Sequence, residues 1–84
     1  MEHTIDCANI GSKEELHRVL AETLQFPAHY GKNLDALYDC LGEISRKTHL
    51  ILRNWEHIAP FAAGFRLVFN DAEDENPNLF ITFQ

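Results

Sequence analysis

The chain has 84 residues, enough for one domain (1–84) and too few for a second core. Its 45% hydrophobic, 11% aromatic and 24% charged residues are the mixture of a folded globular protein, which excludes intrinsic disorder. Thirteen Asp and Glu against seven Lys and Arg give a net charge of −6, the wrong sign for neutralising phosphates; the chain is therefore expected to bind no nucleic acid and to suit a cationic partner.

A weak strand over residues 2–7, centred on His3–Cys7, opens the chain. Ser12 followed by Glu15 is a capping box, and Leu16, Val19, Leu20 and Leu24 then recur at helical spacing. Together they predict a helix over 13–25 that Pro27 forbids from continuing. After the turn Tyr30-Gly31-Lys32, Asn33 is a good N-cap, and Leu34, Leu37, Tyr38 and Leu41 share one helical stripe. A second helix is predicted over 33–42, with Gly42 suited to the position just past its end. Leu50-Ile51-Leu52 predicts a strand over 49–53, and Arg53–Pro60 reads as a loop or a single helical turn. Phe61, Phe65, Val68, Phe69 and Ala72 lie on one stripe of a third helix over 61–74. Asn76-Pro77-Asn78 is a turn, and Leu79–Phe83 is the last strand. The two apolar strands read as buried on both faces. This order of elements is that of an α/β domain, and helical crossovers of this length favour parallel strands.

Catalytic and metal-binding patterns fail. There is no Gly-rich phosphate loop, nucleophile elbow or zinc-type cysteine spacing, so neither an enzyme nor a cofactor is expected. His3 and Cys7 are separated by roughly 13 Å along a strand, too far to share a metal. His17 is expected on the exposed face of the first helix, and His49 and His57 lack a carboxylate–cysteine grouping. Cys7 and Cys40 are too few for a disulfide framework and favour free thiols, although their number alone leaves a single bridge open. No apolar run approaches the roughly 18 residues of a membrane span. Met1–Gly11 lacks the basic start and apolar middle of a secretion signal, so a cytoplasmic location is expected.

The carboxylates are more informative. Asp35 and Asp39 lie four apart on the second helix, opposite Leu34, Leu37 and Leu41. Asp39 falls in the last turn, where the helix dipole opposes an anion by roughly 0.3–1 kcal/mol. Asp71, Glu73, Asp74 and Glu75 repeat the conflict at the end of the third helix. Charge placed against local stability at two helix ends points to a surface suited to a basic partner. Beside Asp35 and Asp39 lies the turn Pro27–Gly31, with His29 and Tyr30. Such a set of acidic and flat side chains matches a desolvated binding patch, while Tyr30 also fits a core position with its hydroxyl at the surface.

The run Phe26–Leu41, with its core Tyr-Gly-x-Asn-Leu-Asp-Ala-Leu-x-Asp-x-Leu, resembles the barstar family of intracellular ribonuclease inhibitors. The capped helix before it, the strand after it and the Val68-Phe69 helix also fit, so the resemblance spans nearly the whole chain. It implies a three-stranded parallel β-sheet packed with helices. It further implies that the second helix and the preceding loop enter the active site of a secreted, basic, guanyl-type (barnase-like) ribonuclease, one to one, from an inhibitor that is monomeric when free. By the same resemblance Asp39 occupies the nuclease's phosphate site, Asp35 is a second interface carboxylate, and His29, Tyr30, Gly31, Asn33, Tyr38, Asp71 and Glu75 complete the contact set. The chain departs from the family pattern at Lys32, where the family is acidic, at Tyr38, where it has tryptophan, and after Trp55, where the segment is shorter. The alternative is a binding module on the same scaffold for a different cationic protein.

Overall fold

The computed structural model describes residues 1–84. In chain order it has β1 (Glu2–Asp6), α1 (Lys13–Leu24), α2 (Leu34–Gly42), β2 (Thr48–Arg53), α3 (Ala63–Glu75) and β3 (Leu79–Phe83), with short 3-10 turns at Cys7–Asn9 and Trp55–His57. The strands form one sheet in the order β1-β2-β3, and both neighbouring pairs are parallel. His3 pairs with Leu50 and Leu50 with Ile81, so the central strand carries the register for both edges.

Local chemistry explains the boundaries. Ser12 accepts from the Glu15 N–H at 3.1 Å, and Glu15 reaches back to the Gly11 N–H at 2.6 Å, closing the start of α1. That helix ends where Gln25 turns left-handed at φ 57°. Asn33 caps α2 by accepting from the Ala36 N–H at 2.8 Å. Gly42 does not take the position past the helix: it is the last helical residue, no glycine has positive φ, and Glu43 follows in the right-handed region. The Glu43 N–H bonds back to Asp39 and Cys40, closing the helix without a left-handed residue. The third helix starts at Ala63 rather than Phe61, because the chain from Ile58 to Ala62 is spent on tight turns.

Sixteen buried residues form one core between the helices and a single face of the sheet. Leu16 and Leu20 of α1, Leu37 and Leu41 of α2, and Phe65, Phe69 and Ala72 of α3 meet Ile5, Leu50, Leu52 and Leu79 there. Each large side chain fully withdrawn from water stabilises by about 1.5–3 kcal/mol. The rings of Trp55 and Phe83 lie 4.9 Å apart, edge to face, and the Arg66 guanidinium sits 3.7 Å from the Phe83 ring centre.

The expectation of strands buried on both faces is corrected. Thr48, Leu50 and Leu52 of β2 are buried, whereas His49 and Ile51 between them are only half-buried and Phe80 of β3 is 50% exposed. Three helices pack on one side, and the other face stays open. His49 spans that face, bonding to Thr82 at 2.7 Å and lying 3.5 Å from Glu2.

His17 is also corrected: it is 6% exposed, not on the solvent face of α1. It stands three and seven residues before Leu20 and Leu24, on the same stripe, and its ring lies 4.7 Å from that of Phe65.

Candidate functional site

The second helix is bound to the core through Leu37 and Leu41, both fully buried. Its amphipathic period leaves Asp35 and Asp39 on the outer side, and Tyr38, expected on the apolar stripe, stands at its edge and is exposed rather than buried with Leu37 and Leu41. No basic residue occupies the last turn of α2, so the carboxylate of Asp39 meets the negative end of the dipole uncompensated.

The third helix runs beside α2 in the same direction. Near the two N-terminal ends, a Cβ on Gly64 would fall 2.9 Å from Leu34 Cδ1, so the glycine permits the close approach. Near the C-terminal ends, the Asn76 side chain donates to the carbonyls of Leu41 at 2.9 Å and Ile44 at 3.0 Å. Between these points Leu34, Asp35, Tyr38, Asp39, Val68 and Asp71 line one shallow groove. Three carboxylates therefore surround an apolar floor with a tyrosine ring, 38% exposed, at the rim. None of the three is ion-paired; the ion pairs of the chain involve Arg18 and His49.

The loop before α2 is held from within. Tyr30 closes a turn by donating its N–H to Pro27 at 2.9 Å, and its ring packs on Phe26 at 5.0 Å. Its hydroxyl shares a 2.6 Å hydrogen bond with His17 Nδ1. Burial pushes the Tyr30 hydroxyl up to about 12 and holds the His17 imidazole below its ordinary value. A Cβ on Gly31 would come 3.1 Å from Asn33 Nδ2, so glycine leaves room for the side chain that caps α2. Lys32 next to it takes the left-handed conformation, φ 53°.

The expected contact residues thus separate. Asp35, Tyr38, Asp39 and Asp71 share the groove, and His29 is exposed on the adjoining loop. Tyr30 turns toward His17, while Gly31 and Asn33 shape the helix start. Glu75 is exposed but outside the groove. Of the other acidic residues at the end of α3, Glu73 accepts from the Ile81 N–H at 2.7 Å and so belongs to the scaffold. Leu34 and Val68 as a shared floor escaped the sequence reading, because each fits a core stripe and only helix packing reveals the gap between them.

A second concavity, lined by residues including Leu24, Phe26, Cys40, Ile44 and Arg46, contains none of the groove carboxylates. Both thiols are free; Cys7 is fully buried and Cys40 half-buried. Burial pushes the Cys7 thiol up to about 11 and raises that of Cys40 as well, so both stay protonated and unreactive near neutral pH. No group of three or more His, Cys, Asp or Glu is placed to hold a metal ion, and no helix is long and apolar enough to cross a membrane.

Comparison with known proteins gives a consistent assignment. The family model described as barstar (barnase inhibitor) matches residues 1–84. A Bacillus subtilis (strain 168) protein named "Putative ribonuclease inhibitor YrdF" is 40% identical over 62 residues, covering 73% of this chain and 68% of that protein. With its three parallel strands, three helices and acidic α2–α3 groove, the chain belongs to the barstar family.

Proposed function

We propose that this protein is an inhibitor of a basic, guanyl-type ribonuclease, acting one to one as a non-enzymatic plug in the cytoplasm of the cell that makes or meets the nuclease. The observation that supports it best is the gathering of Asp35, Asp39, Asp71 and Tyr38 around one apolar-floored groove in a chain of this family. A ribonuclease must hold phosphates with clustered cationic groups. Carboxylates on a rigid helix present the same charge to that cluster without a bond to cleave. Asp39 takes the phosphate position, Asp35 and Asp71 flank it, and Tyr38, His29 and the Tyr30–Gly31 turn cover the entrance against RNA. Once water is excluded, each carboxylate is surrounded by donors in a low dielectric, where charge-assisted hydrogen bonds are strong.

The test is titration of the purified protein into a basic guanyl-type ribonuclease acting on RNA. Loss of activity should be complete at one equivalent. Full nuclease activity at a large excess of the protein would overturn the proposal.

A further inference from the structure

Asn76 is the one polar residue buried at the junction of α2 and α3, only 6% exposed. Its carboxamide donates to Leu41 and Ile44 at the end of α2, and its Oδ1 accepts from the Asn78 N–H at 2.9 Å. Its backbone N–H closes α3 onto Ala72, and its carbonyl accepts from Leu79 at the start of β3. One residue thus joins the ends of α2 and α3 to the first residue of β3, its side chain holding α2 and its backbone holding α3 and β3. Leu41 is a helix-end carbonyl, and such groups need donors from outside the helix. The Ile44 N–H reaches the Leu41 carbonyl only at 3.4 Å, and no basic residue stands in the last turn of α2. The two helices therefore approach closely near their starts, where Gly64 faces Leu34, and are hydrogen-bonded together at their ends by Asn76. The groove carboxylates lie between these two points, Asp35 and Asp39 on one helix and Asp71 on the other.

We propose that Asn76 is a positioning residue of the binding surface: its buried carboxamide locks the last turn of α2 to the end of α3 and so fixes the carboxylates of α2 against Asp71. The proposal rests on the ribonuclease-inhibitor reading for its functional consequence, though not for its structural one. Removing the amide frees the turn that carries Asp39, and the complex then has to order it.

The experiment compares wild type with Asn76→Ala, and with Asn76→Ser, which keeps a donor and is the reserve should the alanine variant not fold. The first readout is amide hydrogen exchange in the free protein. Exchange at Glu43 and Ile44, whose N–H groups close the end of α2, should rise about tenfold more than that of the most protected core amides. The second is dissociation from a basic guanyl-type ribonuclease that wild type inhibits, expected to be about tenfold faster with little change in association. A merely structural asparagine would lower protection uniformly and reduce only the fraction of active inhibitor, leaving dissociation unchanged; that pair of results overturns the proposal. Should wild type inhibit no such nuclease, the functional reading fails, while the exchange pattern still decides whether Asn76 fixes α2.

Discussion

Asp39 stands at the end of α2 that an anion should avoid, with Asp35 one turn earlier repelling it and no cation of its own chain beside it. For folding alone, Asp39→Ala should therefore be neutral or slightly stabilising. For binding, it should strand the nuclease's cationic cluster. Removing one member of a desolvated charge pair costs about 2–5 kcal/mol, a range to which complexes of this very family contribute. Thermal unfolding together with inhibition of a nuclease blocked by wild type separates the two effects; equal inhibition by both proteins would remove Asp39 from the phosphate position. Asp74→Ala serves as the control, since Asp74 is exposed and does not line the groove, and should be nearly normal in both assays. His17 makes a different prediction. Burial is the main cause of its lowered pKa, with Lys32 adding to the shift and Glu14 opposing it. The unfolded chain therefore takes up a proton as pH falls through about 6.5 while the folded chain does not. Stability from this residue is present above that pH and is lost below it, until the folded imidazole also titrates. His17→Gln should flatten this part of the stability profile in urea unfolding between pH 7.5 and 5.5; an unchanged slope would rule His17 out as its source.

The elements were readable in proportion to how local their causes are. The capping box at Ser12 and Glu15, the Asn33 cap and the i, i+3, i+4 stripes act within one helix, so α1 and α2 stand within a residue of their expected limits. The Asp35–Asp39 pair was legible for the same reason, being set by helical spacing alone. What the sequence left hidden depends on partners far along the chain. Leu50-Ile51-Leu52 reads as doubly buried until the three helices are found on one side of the sheet. His17 reads as exposed because hydropathy cannot see Tyr30 and Phe65 waiting for it. Asn76 reads as a turn residue, and only the end of α2, more than thirty residues earlier, gives its amide a use. Glu73 illustrates the same limit within a charge run: its carboxylate satisfies the outward Ile81 N–H of edge strand β3. Glu73→Ala should leave that donor without its partner and cost roughly 1–3 kcal/mol by chemical denaturation. Inhibition by the folded fraction should be unaffected, so a variant with normal stability and poor inhibition would move Glu73 from the scaffold to the binding surface.

For the molecule as a whole, the excess of acid is a long-range property that no single contact captures. The Cα radius of gyration is 11.6 Å, close to the screening length of about 10 Å at 0.1 M salt. At that ionic strength the carboxylates of the groove and those at the exposed end of α3 act together on an approaching cation. At 1 M salt screening shortens to about 3 Å, and only groups already in contact still feel one another. Association with a basic nuclease should therefore be fast at low salt and fall by about tenfold or more between 0.1 and 1 M, whereas dissociation, governed by desolvated contacts, should change much less. The same separation distinguishes the two kinds of acidic residue. Asp74→Ala should slow association slightly at low salt and make no difference at high salt, because its charge acts only from a distance. Asp39→Ala should accelerate dissociation at both, because its loss empties a position within the contact. Stopped-flow association across the salt range, with dissociation followed by displacement, measures both rates for all three proteins. A salt-independent association rate would show that the net charge of −6 serves something other than encounter with a cationic partner.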